Sequence, residues 1–389
     1  MRSGTFQKQT TGYRAFIPAP LPPDPPIAMD DELQTLLSAA DRALGRLDGS
    51  IQTLPDSDLF VLMYVRKEAV LSSQIEGTQS SLNDLLRAEA RILDPDRPAD
   101  VEEVSNYVAA LNYGLERLVD LPISVRLIRE IHERLLRGVR GTHLQPGELR
   151  QSQNWIGPVG ASLNEATFIP PPPHEVPNAL SDLERFIHSK DSMPALIRIG
   201  LTHAQFETIH PFLDGNGRVG RLLITFLLCE QGTLQSPVLY LSHYLKANRA
   251  EYYEHLQNVR EDGGWEAWLK FFLRGVADVS REATETARAI VDLRETDRDK
   301  IINELGRVAG NALKVHELLF RFPLISVNPI AEMLDVSFTS ANRLIERMVE
   351  IEVLVEGTGN ARNRVFNYSQ YINLFTDQGG TDKLTATDG

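Results

Sequence analysis

Cysteine occurs once in 389 residues, at Cys229, so no disulfide can close within the chain and no cysteine cage for zinc exists. A reducing cytoplasm is the expected compartment. Long apolar runs are also missing: Leu222 to Leu228 is far short of the roughly 20 residues of a membrane helix, and Arg218, Arg221 and Glu230 bound it. That run reads as a buried core helix, and no membrane partner is expected. The residues after Met1 lack the continuous apolar stretch of a signal peptide, so export is not expected either. Positive charge is in deficit, with 40 Lys and Arg against 53 Asp and Glu, and the net −13 repels phosphate unless a local basic patch overrides it. This argues against a protein whose main task is coating nucleic acid, and any nucleic-acid role must be local. Absent too are a Walker-type Gly-Lys-Ser/Thr element and any internal repeat.

What remains is the composition of a globular protein, long enough for two or three domains. The chain opens with a proline-rich lead from Ile17 to Pro26, which cannot be helical and reads as an extended strap or spacer. Helical periodicity then runs from Asp30 to about Leu47, Asp58 to Ile75 with a stop at Gly77, Ser80 to Ile92, Val101 to Val119, and Ser124 to Leu136. From Gly138 to Val176 glycines and prolines break the pattern, and a short hairpin or flap is expected there. Helices resume over Val176 to His188 and Pro194 to Ile209, then after Gly217, and again over Arg249 to Arg260 and Trp265 to Arg294. The charged stretch Arg294 to Lys300 reads as an exposed connecting helix or linker. Helices over Leu313 to Phe320, Pro329 to Leu334 and Ser337 to Glu350, with a hairpin from Val353 to Tyr368, predict a winged helix-turn-helix. The expected fold is mainly α, partitioned as 1–100, a core over 101–280, a linker helix over 281–310, a winged unit over 311–375, and a disordered tail over 376–389.

Chemistry concentrates in one loop, His210-Pro211-Phe212-Leu213-Asp214-Gly215-Asn216-Gly217-Arg218-Val219-Gly220-Arg221. Gly215 and Gly217 let the backbone take positive φ and approach a ligand closely, so amides at a helix N-terminus can surround an anion. Asp214 supplies a hard oxygen for Mg2+. Arg218 and Arg221 are spaced to neutralise outer phosphates, and His210 can deprotonate a hydroxyl if the helix N-terminus and nearby arginines keep it neutral. A Gly-Asn-Gly alone is usually a turn and a single His usually structural. Base, metal ligand, glycine pair and two arginines in one short stretch together point to phosphate transfer. His203, Glu207 and His210 share a helical face, but their spacing departs from the His-Glu-x-x-His pattern of zinc proteases and does not argue for a metal site.

This loop resembles the signature His-Pro-Phe-x-[Asp/Glu]-Gly-Asn-Gly-Arg-x-x-Arg of the Fic family at every fixed position. The resemblance implies an all-α Fic bundle with a small β-hairpin flap. It also implies ATP and Mg2+ as donor and cofactor, and AMP transfer to Ser, Thr or Tyr hydroxyls of proteins, automodification included. In those terms His210 is the base, Asp214 holds the metal, Asn216 with the Gly215 and Gly217 amides orients the α-phosphate, and Arg218 and Arg221 hold the outer phosphates. Ser72-Ser73-Gln74-Ile75-Glu76-Gly77 resembles the family's inhibitory motif, which implies that Glu76 pairs with Arg221, supported by Ser72 and Gly77. The segment Ala166 to Pro171 resembles the family flap, placing Thr167, Phe168 and Ile169 beside the nucleotide and a target strand, and Asn248 to Tyr253 resembles the region that would put Tyr252 at the adenine.

Other readings stay open. Thr339, Ser340, Asn342 and Arg343, with Arg362 and Arg364 on the wing, can make a DNA contact, while Glu346, Glu350, Glu352 and Glu356 oppose it. The chain would then be a nucleotide-sensing regulator. Alternatively the core removes AMP from modified proteins, with Glu76 positioning a water. A homodimer is compatible with either reading.

Overall fold

Helical periodicity in the sequence becomes helix in the structure at nearly every predicted segment. The computed structural model describes residues 2–10, 12–52, 57–90, 98–139, 144–158, 160–359 and 364–376, with side chains from residue 60 onward in the helix that starts at residue 57. Strands β1 (Gly4–Lys8) and β2 (Arg14–Pro18) come first, then α1 (Asp31–Gln52), α2 (Ser57–Ile75), α3 (Leu82–Glu89), α4 (Val101–Arg117) and α5 (Val125–Leu135). An irregular segment leads to α6 (Val176–Ile187), α7 (Ala195–Ile209), α8 (Asn216–Glu230), α9 (Ser242–Ala247), α10 (Arg249–Asp262) and α11 (Trp265–Leu305). The last elements are α12 (Ala309–Leu319), β3 (Leu324–Ser326), α13 (Val327–Leu334), α14 (Phe338–Glu350), β4 (Val355–Glu356), β5 (Val365–Asn367) and α15 (Ser369–Asn373). The fold is mainly α with small sheets, as expected. Among the described residues no helix is long and apolar enough to cross a membrane.

Two units divide these elements, and their boundaries are not the consecutive ones read from the sequence. The first comprises Met1–Gly49, Glu68–Ser80 and Pro98–Ala283; the second comprises Ser50–Lys67, Ser81–Arg97 and Thr284–Gly389. Helices α2 and α11 each contribute residues to both units, which a partition by sequence position cannot express.

In the first unit, α7 and α8 are innermost. Every residue from Leu196 to Ile209 is buried, as are Arg218 to Leu228, so neither helix has a solvent stripe. Trp268 of α11 is fully buried and donates its indole N–H to the Gly200 carbonyl of α7 at 2.8 Å. Ahead of the proline-rich lead lies a hairpin that was not expected. Strands β1 and β2 form an antiparallel hairpin from Gly4↔Pro18 to Lys8↔Arg14, and Phe16, fully buried, donates its amide to Ile169 of the flap at 2.9 Å. The flap itself has one bridge among the described residues, Ile156↔Phe168.

The second unit includes α12, β3, α13, α14, β4 and β5 in that order, with an antiparallel sheet ordered β3-β5-β4. Strand β3 was not anticipated, and α13 begins at Val327, so Pro329 lies inside its first turn. Ser337 caps α14 by accepting from the Ser340 amide, as predicted. The charged stretch at 294–300 is helical and continues α11 without a break, but it is not wholly exposed: Ile301 and Leu305 keep an apolar stripe facing the core while Arg294 pairs with Glu317 at 2.8 Å. Asp297 is buried and accepts the Tyr368 hydroxyl proton at 2.7 Å. The predicted disordered tail, apart from Thr376, and wing residue Arg362 lie outside the described residues.

Candidate active site

Because α7 and α8 are buried on all sides, the loop joining them hangs from a rigid support, which suits a site that must hold reacting groups in place. Helix α7 ends at His210, whose backbone turns left-handed (φ 49°, ψ 61°). Two backbone bonds from Phe212 then lock the turn: its amide donates to Asn216 Oδ1 and its carbonyl accepts from Asn216 Nδ2, each at 2.8 Å. Asn216 thus braces the loop. From outside the loop, Arg150 donates Nε to the His210 carbonyl at 2.8 Å, and Asn154 donates Nδ2 to the Phe212 carbonyl at 2.8 Å. His132 of α5 stacks on the Phe212 ring with centroids 3.7 Å apart and planes 4° apart. Its Nδ1 accepts the Gly147 amide at 2.8 Å, so the proton sits on Nε2 and is donated to the Asp214 carbonyl at 3.0 Å.

Gly215 takes the positive φ (74°) that starts α8, with no side chain capping the helix, so its first amides are free to meet an anion. Gly217 is already helical, contrary to the expectation of positive φ. It is needed for space, since a Cβ there would lie 2.2 Å from Glu76 Oε1 and 3.0 Å from Arg221 Nη1. The carboxylate of Glu76 therefore occupies the hollow over the glycine. Glu76 follows the last residue of α2 and precedes Gly77 at φ 97°. Its Oε1 accepts from Arg221 Nη2 at 2.7 Å, while Arg221 also donates Nε to Ser72 Oγ at 2.8 Å and Nη2 to the Ser72 carbonyl at 3.0 Å. Arg218 donates to Glu103 Oε2 at 3.1 Å, and its Nη2 stands 3.8 Å from Asp214 Oδ1. Both arginines are buried, and each is neutralised by an acid from another helix or its end.

Electrostatics keep His210 in the form a base needs. Burial, then the Arg260 and Arg150 guanidiniums, pull its imidazole down to about 3, and Nδ1 is buried with no partner among the described residues. The helix N-terminus and nearby arginines were expected to do this; burial comes first, and the arginines that act are Arg260 and Arg150. Burial alone would raise the Glu76 carboxyl, but the Arg221 charge and hydrogen bond hold it below the ordinary range, with Arg218 adding to the effect. Deeper in, burial pushes Glu68 and Glu207 up to about 7. Glu68 accepts from Ser242 Oγ at 2.5 Å and from the Tyr107 hydroxyl at 3.3 Å.

Residues 122–228 match the Fic/DOC family, and residues 34–116 match its N-terminal region. The chain carries a Fic domain. Over 195 residues it is 29% identical to a probable protein adenylyltransferase of Aquifex aeolicus, covering 49% of this chain and 56% of the relative. The protein adenylyltransferase Fic of Drosophila ananassae is 28% identical over 211 residues, which cover 54% of this chain and 37% of that one. The chain thus spans about half or less of these relatives' length. A solved Fic family protein from Desulfovibrio desulfuricans superposes with a TM-score of 0.59 at 20% identity, covering 88% of this chain and 97% of the other. A Fic domain containing signaling protein from Bacteroides thetaiotaomicron does so with 0.51 at 19%, covering 67% and 97%.

Around the Fic loop, the structure redistributes the outlying residues. Phe168 is buried, with the Arg260 guanidinium 4.0 Å above its ring, so it packs under the flap. The Ile169 carbonyl is already taken by Phe16, and the exposed Thr167 offers its carbonyl to Gln257 at 3.4 Å. Tyr252 is 1% exposed with its hydroxyl on His203 Nε2 at 2.9 Å, so it presents no face to a base; Tyr253, at 37%, faces outward beneath Arg249. His203 uses its other nitrogen on the Gly220 carbonyl at 3.0 Å. Sequence reasoning missed Glu103, His132, Arg150, Asn154 and Arg260. Two of these had a signal: Glu103 falls in the buried stripe with Tyr107 and Ala110, and His132 in the stripe with Ile128 and Leu135.

Proposed function

We propose that this chain transfers AMP from ATP to a hydroxyl side chain of a protein and that Glu76 holds it off at rest. The observation that carries the reading is the Glu76 carboxylate over Gly217 and against Arg221: an anion already fills the space between this glycine at the start of α8 and the guanidinium. When that carboxylate swings away, a phosphate chain finds the same donors. The acceptor oxygen then attacks the α-phosphorus, its proton passes to neutral His210, and the bond to the β-phosphate breaks as pyrophosphate leaves. The loop's contribution is positioning and charge, which is what such a transfer needs from a protein. Asp214, with 37% of its side chain exposed, would hold Mg2+. Among the described residues no cluster of three His, Cys, Asp or Glu is present, so phosphate oxygens and water would complete the shell, the usual habit of this ion. Bound there, the metal supplies charge neutralisation between phosphates.

The second unit we read as a winged-helix docking module. DNA is the weaker partner, because Arg364 and Asn342 both bond the Glu346 carboxylate, at 3.1 and 3.0 Å, leaving Arg343 the exposed cation on α14 among the described residues. The proposal is tested by mass spectrometry of the protein and a matched lysate after incubation with ATP and Mg2+. Glu76→Gly should carry AMP adducts on hydroxyl side chains, wild type few, and Glu76→Gly with His210→Ala none. Adducts of equal abundance with and without the imidazole would remove His210 from the chemistry.

A further inference from the structure

We propose that Glu103 is the positioning residue for Arg218: a fixed carboxylate that holds the guanidinium edge-on to the loop so that its remaining donors face an incoming phosphate chain. This rests on the nucleotide reading above. The two loop arginines are each paired with an acid, and the pairs differ in kind. Glu76 lies beyond the end of α2, next to a glycine at positive φ, with 33% of its side chain exposed. It can leave. Glu103 lies within α4, 4% exposed, on the stripe that buries Val104 and Tyr107 completely. It cannot leave without unpacking the helix.

Arg218 is only partly used. Of its nitrogens, Nη1 meets Glu103 Oε2 at 3.1 Å, Nη2 is too far from Asp214 Oδ1, at 3.8 Å, for a hydrogen bond, and Nε is buried with no partner among the described residues. Buried N–H donors are normally satisfied, and a buried guanidinium normally uses its whole fork. A guanidinium anchored through Nη1, with Nε unfilled among the described residues, beside the uncapped start of α8, is arranged for an anion that arrives later. Glu103 does two things at once: it offsets the charge of a cation that burial would otherwise make costly, and it removes the rotamer freedom that phosphate binding would have to freeze. Glu76 is thus a gate and Glu103 a buttress, although both read as Glu–Arg pairs.

The two roles predict opposite outcomes, measured by calorimetric titration of the full-length Glu76→Gly protein with ATP and Mg2+. Adding Glu103→Gln should weaken ATP by about 10- to 100-fold, whereas a second gate would leave affinity unchanged or raise it. Any loss must also run through the arginine. In an Arg218→Gln background, Glu103→Gln should change ATP affinity less than twofold, and that doubly neutral pair should melt above the Glu103→Gln variant, because no unpaired charge is left buried. A Glu103→Gln protein that binds ATP within threefold of its parent, or a penalty that persists without the arginine, overturns the proposal. A Glu76→Gly parent that binds no ATP overturns this proposal and the nucleotide reading together; one that binds ATP without transferring AMP sinks only the transfer.

Discussion

Removing the Glu76 carboxylate should convert a nucleotide site blocked by its own chain into an open one. At rest Arg221 is 2% exposed and holds Glu76 at 2.7 Å, with two further bonds to Ser72. A phosphate chain must displace that contact before it can use Arg221 or the space over Gly217. A hydrogen bond between charged groups is worth about 1.5 to 3 kcal/mol net, and a fully buried pair costs more to break. Because a third of the Glu76 side chain is exposed, water recovers part of the loss, and about 2 to 3 kcal/mol is the reasonable range. At about 1.4 kcal/mol per decade, ATP should bind Glu76→Gly roughly 30- to 150-fold more tightly than wild type. Glu76→Gln, which keeps the shape and loses the charge, should fall between. Isothermal titration with ATP and Mg2+ at fixed ionic strength reads this directly. Equal affinity in all three proteins would mean that the carboxylate does not compete with phosphate, and the gate would have to be abandoned.

Two further outcomes follow from the same geometry. Gly217→Ala should disrupt the resting Glu76–Arg221 pair and also fill the cradle, since its Cβ would sit 2.2 Å from the carboxylate oxygen; it should bind ATP no better than wild type by the same titration, and affinity like that of Glu76→Gly would show that the hollow is not where phosphate goes. Glu68, raised by burial from 4.5 to about 7, contributes stability that is present below pH 4.5 and lost as pH rises through 7. Urea denaturation should therefore find Glu68→Gln gaining on wild type by about 3 kcal/mol between pH 4.5 and 8, at about 1.4 kcal/mol per pH unit, and a constant difference across that range would mean the carboxyl is ionised in the folded protein.

Much of the helical scaffold was readable because burial leaves a periodic trace. Helix α2 was expected over Asp58 to Ile75 and runs over Ser57–Ile75; the stop at Gly77 needed only the positive φ that glycine tolerates. The loop was readable for a different reason, since its residues are contiguous and carry their chemistry in their types. What failed lay between distant segments. The hairpin of β1 and β2 was not expected, because its decisive bond, from Phe16 to Ile169, joins residues far apart in sequence. The end of α11 was expected to be an exposed connecting helix or a linker because charge is visible in sequence, whereas burial on one face of a helix with Asp297 inside it is not. Tyr252 and Tyr253 are adjacent and chemically alike, and only packing sends one inward and the other outward.

By itself, the sequence determined which elements form and which chemical groups the loop can offer, because periodicity, capping and residue type are local properties. Only the tertiary structure decided that Glu103 meets Arg218, that Asn216 braces the turn, and that Arg260 and Arg150 help burial keep His210 neutral. Those outcomes depend on distances of a few ångströms between helices and segments far apart in the chain, and in a low-dielectric interior such distances set both the charge state and the direction of every donor.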